Sequence, residues 1–398
     1  MISQNVISLV ENGSAIRTMF EEGTRMAALY GKENVYDYSL GNPSVPAPKA
    51  VNEAFKAALD EIDPVVLHGY MSNAGYPDVR QAVADSLNKR FGTGFNAANI
   101  LMTVGAAGGL NVILKTLLNP RDEVICFAPY FVEYNNYIAN YNGKVVRVLT
   151  DEKTFMPVPE RLATAITDKT KAVIINNPNN PTGVIYSEEV IKAVAEVLAN
   201  KEKELGTSIY LIADEPYREL AYDNTEVPYL TKYYHNTIVG YSYSKSLSLP
   251  GERIGYLVMP DELDDAELII NGATVANRVL GFVNAPSLQQ KVIKSCLDLT
   301  TDVAIYDKNR KLLYDTLTNL GFECVKPSGA FYLWVKAPDG DDKAFSAAAA
   351  KHHILFVAGS GFAGPGFVRL AYCVDYDMIV RSIPAFEKLA EEYGLRKG

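Results

Sequence analysis

The chain has 398 residues, with 47 acidic against 38 basic side chains and a formal net charge of −9. That length exceeds the usual size of one core, so two domains around a shared cleft are expected, and an acidic balance without a basic run argues against a nucleic-acid surface. Apolar segments are broken by charge well before the roughly 18 residues a membrane helix needs, and Met1 to Gly13 lacks the basic start and apolar stretch of a signal peptide, so a cytoplasmic protein with no membrane partner is expected.

In chain order, the first clear unit is the short apolar run Ile100 to Val104, read as a strand, which opens through Gly105-Ala106-Ala107-Gly108-Gly109 into a helix reaching Leu117. Small residues let backbone N–H groups at a helix start approach an anion closely, and the helix dipole favours its charge. The spacing is not G-x-G-x-x-G and no acidic ribose binder follows, which disfavours a dinucleotide. A second strand, Glu123 to Phe127, ends at Ala128-Pro129-Tyr130-Phe131, where Phe131 either stacks on a flat ring or packs as core. A third, Lys171 to Ile175, runs into Asn176-Asn177-Pro178-Asn179-Asn180-Pro181-Thr182-Gly183 and then a helix from Ser187 to Asn200. Two prolines and a glycine fix that loop, as a loop needs when one asparagine, Asn180 foremost, must present its amide in a preset geometry.

Ser208 to Ala213 is a further apolar strand, and it stops at Asp214-Glu215-Pro216-Tyr217. Ligands of open α/β sheets bind along the carboxyl edge of the strands. A carboxylate there can keep a pyridine nitrogen protonated, and Tyr217 can offer its hydroxyl to a ring oxygen; the plainer alternative is an acidic helix start followed by a core tyrosine. Next comes Ser242-Tyr243-Ser244-Lys245, with Arg253 eight residues after the lysine, which sets one amine among hydroxyls and a fixed positive charge. A lysine forms a Schiff base only through its neutral amine, and at pH 7 an ordinary lysine lies about 3 units below its pKa, a handicap of roughly 4 kcal/mol. A cationic neighbour and partial burial both reduce that handicap. Alone such a lysine reads as a surface residue; with its upstream partners it suits an aldehyde cofactor carrying a phosphate.

From about Tyr70 to Leu288 strands alternate with helices, which predicts an α/β fold with a mostly parallel sheet. A long helical tract, Leu288 to Leu320, precedes a shorter βαβ-like section and a closing helix from Met378 to Tyr393. Within that section Arg369 stands in the apolar run Phe367 to Tyr372, and a buried arginine needs an anion. Four dispersed cysteines, Cys126, Cys296, Cys324 and Cys373, read as reduced thiols, and four scattered histidines give no metal-ligand pattern, so no metal is expected.

Taken in this order, Asn180, Asp214, Tyr217, Lys245 and Arg253 resemble the site of the fold-type I pyridoxal phosphate enzymes, specifically the class I/II aminotransferases that include aspartate aminotransferase. The likeness extends over Tyr38-Ser39-Leu40-Gly41-Asn42-Pro43, Tyr70 to Gly75, the Gly105 loop, Asn180-Pro181-Thr182-Gly183, Pro327 to Leu333 and Val368 to Tyr372. It implies a large cofactor domain over 41–287, a small domain over 288–398, and an arm over 1–40 that joins the small domain. It also implies pyridoxal 5′-phosphate bound as a Schiff base on Lys245, which moves the proton at the substrate Cα. Asp214 would face the ring nitrogen, Asn180 and Tyr217 the ring hydroxyl, and Phe131 the ring face. Gly105, Ala106, Ala107, Ser242, Ser244 and Arg253 would surround the phosphate. Phe131 stands where many relatives carry tryptophan or tyrosine, so stacking survives without a polar tip.

By the same resemblance, Tyr70 reaches the phosphate of a neighbouring subunit, which makes the protein a homodimer. Arg369 grips the substrate α-carboxylate with help from the Gly41 backbone. The implied reaction moves an amino group from an L-amino acid to a 2-oxo acid by a ping-pong course, with aspartate or glutamate and 2-oxoglutarate as the candidate pair. A dicarboxylic substrate needs a second cation; Arg17 and Arg278 are the candidates by position, though neither is in register with a specificity arginine and each also reads as a helix surface charge. A C–S β-lyase or another lyase on the same scaffold is the alternative. The sensing half of a transcription regulator is disfavoured, because the short acidic N-terminal segment leaves no room for a DNA-binding domain.

Overall fold

Residues 2–11 and 15–395 are described in this computed structural model. After β1 (Tyr36–Asp37), the strands β2 (Ile100–Thr103), β3 (Glu123–Ala128), β4 (Lys144–Leu149), β5 (Thr170–Asn176), β6 (Tyr210–Asp214), β7 (Thr237–Ser242) and β8 (Gly255–Val258) follow in turn. Strands β2 to β8 form a seven-stranded sheet in the order β2-β8-β7-β6-β5-β3-β4. Only β8 runs against its neighbours. Strands β2, β3, β6, β7 and β8 are buried along their whole length, as aliphatic strands covered by helices on both faces must be. Successive residues serve opposite cores: Val173, Ile175, Leu211 and Ala213 enter one, Ala172, Ile174, Tyr210 and Ile212 the other. Edge strand β4 is mostly open, and Lys144 and Arg147 keep it charged.

The register decides where the chemistry goes. Thr103 is paired with Gly255, Gly255 with Ser242, Gly240 with Asp214, and Asp214 with Asn176. The chain therefore leaves β2, β3, β5, β6 and β7, and enters β8, along one edge of the sheet, which brings every motif from Gly105 to Arg253 to the same side.

A second unit contains β9 (Cys324–Val325), β10 (Tyr332–Lys336), β11 (Ile354–Leu355), β12 (Val357–Ala358) and β13 (Phe367–Ala371). Four of these form an antiparallel sheet, β12-β13-β10-β9, while β11 pairs in parallel with β1 and so ties the N-terminal segment to this unit. Its core is rich in aromatic rings, among them Tyr306, Phe331, Phe345, Phe356 and Phe386.

Two expectations are corrected. Between Tyr70 and Ile100 the structure has a helix, Pro77–Phe91, and no extended strand, so the alternation begins at β2. The tract expected as one helix from Leu288 to Leu320 is two, Ser287–Lys294 and Val303–Asn319. Thr300-Thr301-Asp302 causes the break: Asp302 caps the second helix by accepting from the Ala304 N–H at 3.1 Å, and the Thr301 N–H donates to the Ser246 carbonyl at 2.7 Å. Val292 and Ile293 still pack on the large sheet, whereas Tyr306 and Leu313 belong to the second core. Among the described residues no helix is long and apolar enough to cross a membrane, and the four cysteines are unpaired.

Candidate active site

Where the second unit faces the carboxyl edge of the large sheet lies a cavity of about 290 Å³, lined by residues of both, a size suited to a small ligand. Lys245 enters it from the short helix Tyr243–Ser246 that follows β7. Its Nζ donates to the Gly41 carbonyl at 2.7 Å and lies 5.3 Å from the centre of the Phe331 ring. Burial brings the Lys245 amine down to about 8; the Cys373 thiol opposes this shift, and Arg369 and Arg253 reinforce it. Beside Lys245 the helix Gly105–Leu117 begins, with Ala106 and Ala107 on the cavity wall. Gly105 has φ +68°, and a Cβ there would come 2.8 Å from Arg253 Nη2, so glycine lets the guanidinium close over the helix start. Ser242 and Ser244 bring their hydroxyls 2.6 Å apart on the same wall. Backbone N–H groups, two hydroxyls and a guanidinium make an anion cup.

Asp214, at the last position of β6, is 4% exposed. Its Oδ2 accepts from the Tyr134 hydroxyl at 2.5 Å and from Asn176 Nδ2 at 3.3 Å, while its Oδ1 is buried and has no partner. Burial pushes this carboxyl up to about 7, with the Tyr134 hydrogen bond opposing and the Glu215 charge adding to the rise. A buried carboxylate oxygen without a donor is costly. It becomes favourable once a cationic N–H sits opposite.

The loop after β5 is clasped from both sides. Asn176 Oδ1 accepts from the Asn180 N–H at 2.7 Å, and the Gly183 carbonyl accepts from the Ser328 and Gly329 N–H groups at 2.8 and 2.9 Å. Gly183 has φ +73°, and a Cβ there would lie 2.5 Å from the Tyr332 carbonyl, so the turn requires glycine where it meets the second unit. Asn180 Oδ1 accepts from Arg369 Nη1 at 3.0 Å, which leaves its amide N–H groups to donate into the cavity. Arg369, on β13, is 1% exposed; its Nη2 donates to the Ser39 carbonyl at 2.7 Å, its Nε has no partner, and among the described residues no carboxylate pairs with it. Its guanidinium lies against the Tyr332 and Phe362 rings, 4.3 and 4.6 Å from their centres. A buried, aromatic-flanked cation of this kind is a ready receptor for a carboxylate.

The family model for aminotransferase class I and II matches residues 33–383. The chain belongs to that family. It is similar to a solved amino transferase from Eubacterium rectale, 48% identical over 99% of both chains with a TM-score of 0.96. It is similar also to an aspartate aminotransferase from Thermus thermophilus solved with maleate, 27% identical over 98% of this chain and 99% of that one, TM-score 0.87. A probable N-acetyl-LL-diaminopimelate aminotransferase from Bacillus subtilis is 32% identical over 89% of each chain. The protein is an aminotransferase, and enzymes of this family work with pyridoxal 5′-phosphate. The residues present fit that group: an unpartnered acidic oxygen for the ring nitrogen, an anion cup for the phosphate, and an amine brought toward neutrality for the aldehyde.

Of the residues singled out in the sequence, Gly41, Ala106, Ala107, Phe131, Asn180, Asp214, Tyr217, Ser242, Ser244, Lys245, Arg253 and Arg369 line one cavity. Gly105 shapes it from behind. Tyr70, 93% exposed, lies outside it. Arg17 lies on an exposed helix face with its Nε 2.9 Å from Glu21, and Arg278 is exposed on the helix Ala266–Val279; neither lines the cavity. Sequence reading missed Tyr134, Asn176 and Tyr332 as functional groups. Asn176 opens the asparagine run, and Tyr332 stands inside the Gly329-Ala330-Phe331-Tyr332 motif, so both had a signal; Tyr134 had only its position three residues after Phe131. Away from the cavity, at the other end of the large sheet, Glu202, His235 and Asp264 bring possible metal-ligand atoms within 4.8 Å of one another, a grouping the scattered histidines did not suggest.

Proposed function

We propose that this aminotransferase carries pyridoxal 5′-phosphate on Lys245 and moves an amino group between an L-amino acid and a 2-oxo acid in two half-reactions, with aspartate or glutamate and 2-oxoglutarate as the working pair. The observation that carries this reading is the buried Asp214 Oδ1 without a partner, set at the back of a cavity that also holds Lys245 and Arg369. When bound, the cofactor supplies a carbonyl that captures amines and a cationic ring that withdraws electrons from the substrate Cα.

Asp214 holds the proton on the ring nitrogen, since a cation beside a carboxyl near 7 turns it into the anion. Asn180 and Tyr217 orient the ring oxygen, Phe131 covers a ring face, and Ala106, Ala107, Ser242, Ser244 and Arg253 anchor the phosphate. Lys245, near 8, has an accessible neutral amine at physiological pH and takes the proton from the substrate Cα. Arg369 receives the α-carboxylate. The unit built on the helix Val303–Asn319 and strands β9 to β13, with the N-terminal segment tied to it through β1, closes on the cavity and excludes water. Tyr70 completes the phosphate site of a second copy, which makes the working enzyme a homodimer.

Likeness to aspartate aminotransferases supports the dicarboxylic pair. The cations lining the cavity, Lys245, Arg253 and Arg369, already have tasks, so the distal carboxylate is met by a group outside this set. Unpaired cysteines support a cytoplasmic location. The test is a half-reaction: aspartate added alone to freshly purified enzyme should change the visible spectrum and release one equivalent of its 2-oxo acid, and 2-oxoglutarate should restore the first spectrum. A response to alanine or aromatic donors with none to aspartate or glutamate would sink the substrate assignment, and silence toward all donors would sink the whole reading.

A further inference from the structure

Tyr332 opens β10, is 2% exposed, lines the cavity, and has no task yet beyond its place against Arg369. Its hydroxyl lies 2.9 Å from the Tyr217 hydroxyl, and either oxygen can donate to the other. Its ring is held under the Arg369 guanidinium, 4.3 Å from the ring centre. On the other side, a Cβ at Gly41 would overlap the Tyr332 hydroxyl, so that hydroxyl fills the space of the missing side chain. The ring is therefore packed between Arg369 and the Gly41 backbone, with its hydroxyl on Tyr217. Each phenol has one proton, and among the described residues the Tyr332 hydroxyl has no second partner.

We propose that Tyr332 is a positioning residue that fixes the direction of the Tyr217 proton: Tyr332 donates to the Tyr217 oxygen, and Tyr217 spends its own proton on the ring oxygen of the cofactor. The inference rests on the reading above that Tyr217 meets that oxygen. The reverse direction fails at the ring oxygen. If Tyr217 donated to Tyr332, its single proton would be spent there, and Tyr217 would turn lone pairs toward a negative ring oxygen. In the forward direction the two bonds polarise each other, so Tyr217 becomes a stronger donor. A stronger donor withdraws negative charge from the ring oxygen, and the bound chromophore then holds its own proton less tightly.

The test is a pH titration of the visible absorption of holoenzyme for wild type, Tyr332→Phe, Tyr217→Phe and the double variant. Tyr332→Phe removes one oxygen and keeps the ring under Arg369, and an unchanged thermal midpoint checks that the fold survives. The midpoint pH of the spectral change should rise by about 0.3–0.6 units in Tyr332→Phe and by more in Tyr217→Phe. The double variant should match Tyr217→Phe alone, because Tyr332 acts only through Tyr217. A chromophore that titrates identically in Tyr332→Phe and wild type would overturn the inference alone, as would a Tyr332→Phe shift that persists undiminished in the Tyr217→Phe background. A wild-type protein with no visible chromophore would overturn both this inference and the cofactor reading beneath it.

Discussion

Asp214 and Glu215 are consecutive, both acidic and both buried, yet they face two regions built on opposite principles. Behind the sheet edge, both Glu215 oxygens are taken by Arg218, whose Nε donates to Oε2 at 2.5 Å and whose Nη2 donates to Oε1. Further Arg218 donors reach the Val227 and Pro228 carbonyls, each at 2.9 Å, and the guanidinium lies beside the stacked Phe91 and Tyr229 rings, 5.2 and 5.1 Å from their centres. Every charge there is closed by its neighbours. On the cavity side, Asp214 keeps one oxygen open and Arg369 keeps Nε open. Burial of charge is common to both regions; Glu215 and Arg218 pair with each other, whereas Asp214 and Arg369 each keep a polar atom for something that arrives later.

Four experiments can break or sharpen that contrast. Asp214→Asn should still fold and load cofactor, while steady-state turnover falls about 10²–10⁴-fold; a loss under tenfold would mean the open oxygen is not used. Arg218→Ala should do the reverse. It strands a buried carboxylate and should cost about 3–5 kcal/mol in urea unfolding, with the visible spectrum of the folded fraction unchanged. A smaller change is expected from Arg369→Lys, which forfeits the fork geometry: KM for the amino acid should rise about 10–100-fold, in line with one lost charge-assisted bond, with kcat less affected. Should kcat fall and KM hold, Arg369 does not bind ground-state carboxylate.

The mildest effect is a pH slope. The Asp214 carboxyl is pushed from 3.8 to about 7 in the fold, so between those values the folded chain without cofactor keeps a proton that the unfolded chain releases. Its contribution to stability is therefore present below about 4 and lost as pH rises through about 7. Urea unfolding of apoenzyme at stepped pH should show wild type losing stability relative to Asp214→Asn across that window; a relative gain would contradict the assignment.

What the sequence made legible follows from the same physics. Short aliphatic strands that end in chemistry-bearing turns could be read directly, because a parallel sheet places strand ends along one edge; hence Asn180, Asp214, Lys245 and Arg253 converge as expected. Arg369 was legible as a cation stranded in an apolar strand. Tyr134 and Tyr332 were not legible as functional groups. One depends on how the helix Glu133–Ala139 rotates toward β6, the other on β10 lying beside β13, and neither pairing leaves a local pattern. The break at Thr300-Thr301-Asp302 was not read from the sequence, although Asp302 is of the residue type that caps a helix start. Arg17 shows the converse limit, since an arginine near a cavity in sequence can be drawn to the neighbouring turn of its own helix by Glu21.

The central claim, that Lys245 holds the cofactor covalently, is tested most directly by reducing freshly purified enzyme with borohydride and mapping its peptides by mass. The predicted result is one phosphopyridoxyl group on the peptide containing Lys245, absent when the enzyme is first treated with an amino donor. Modification of a different lysine, or of none, would contradict the account.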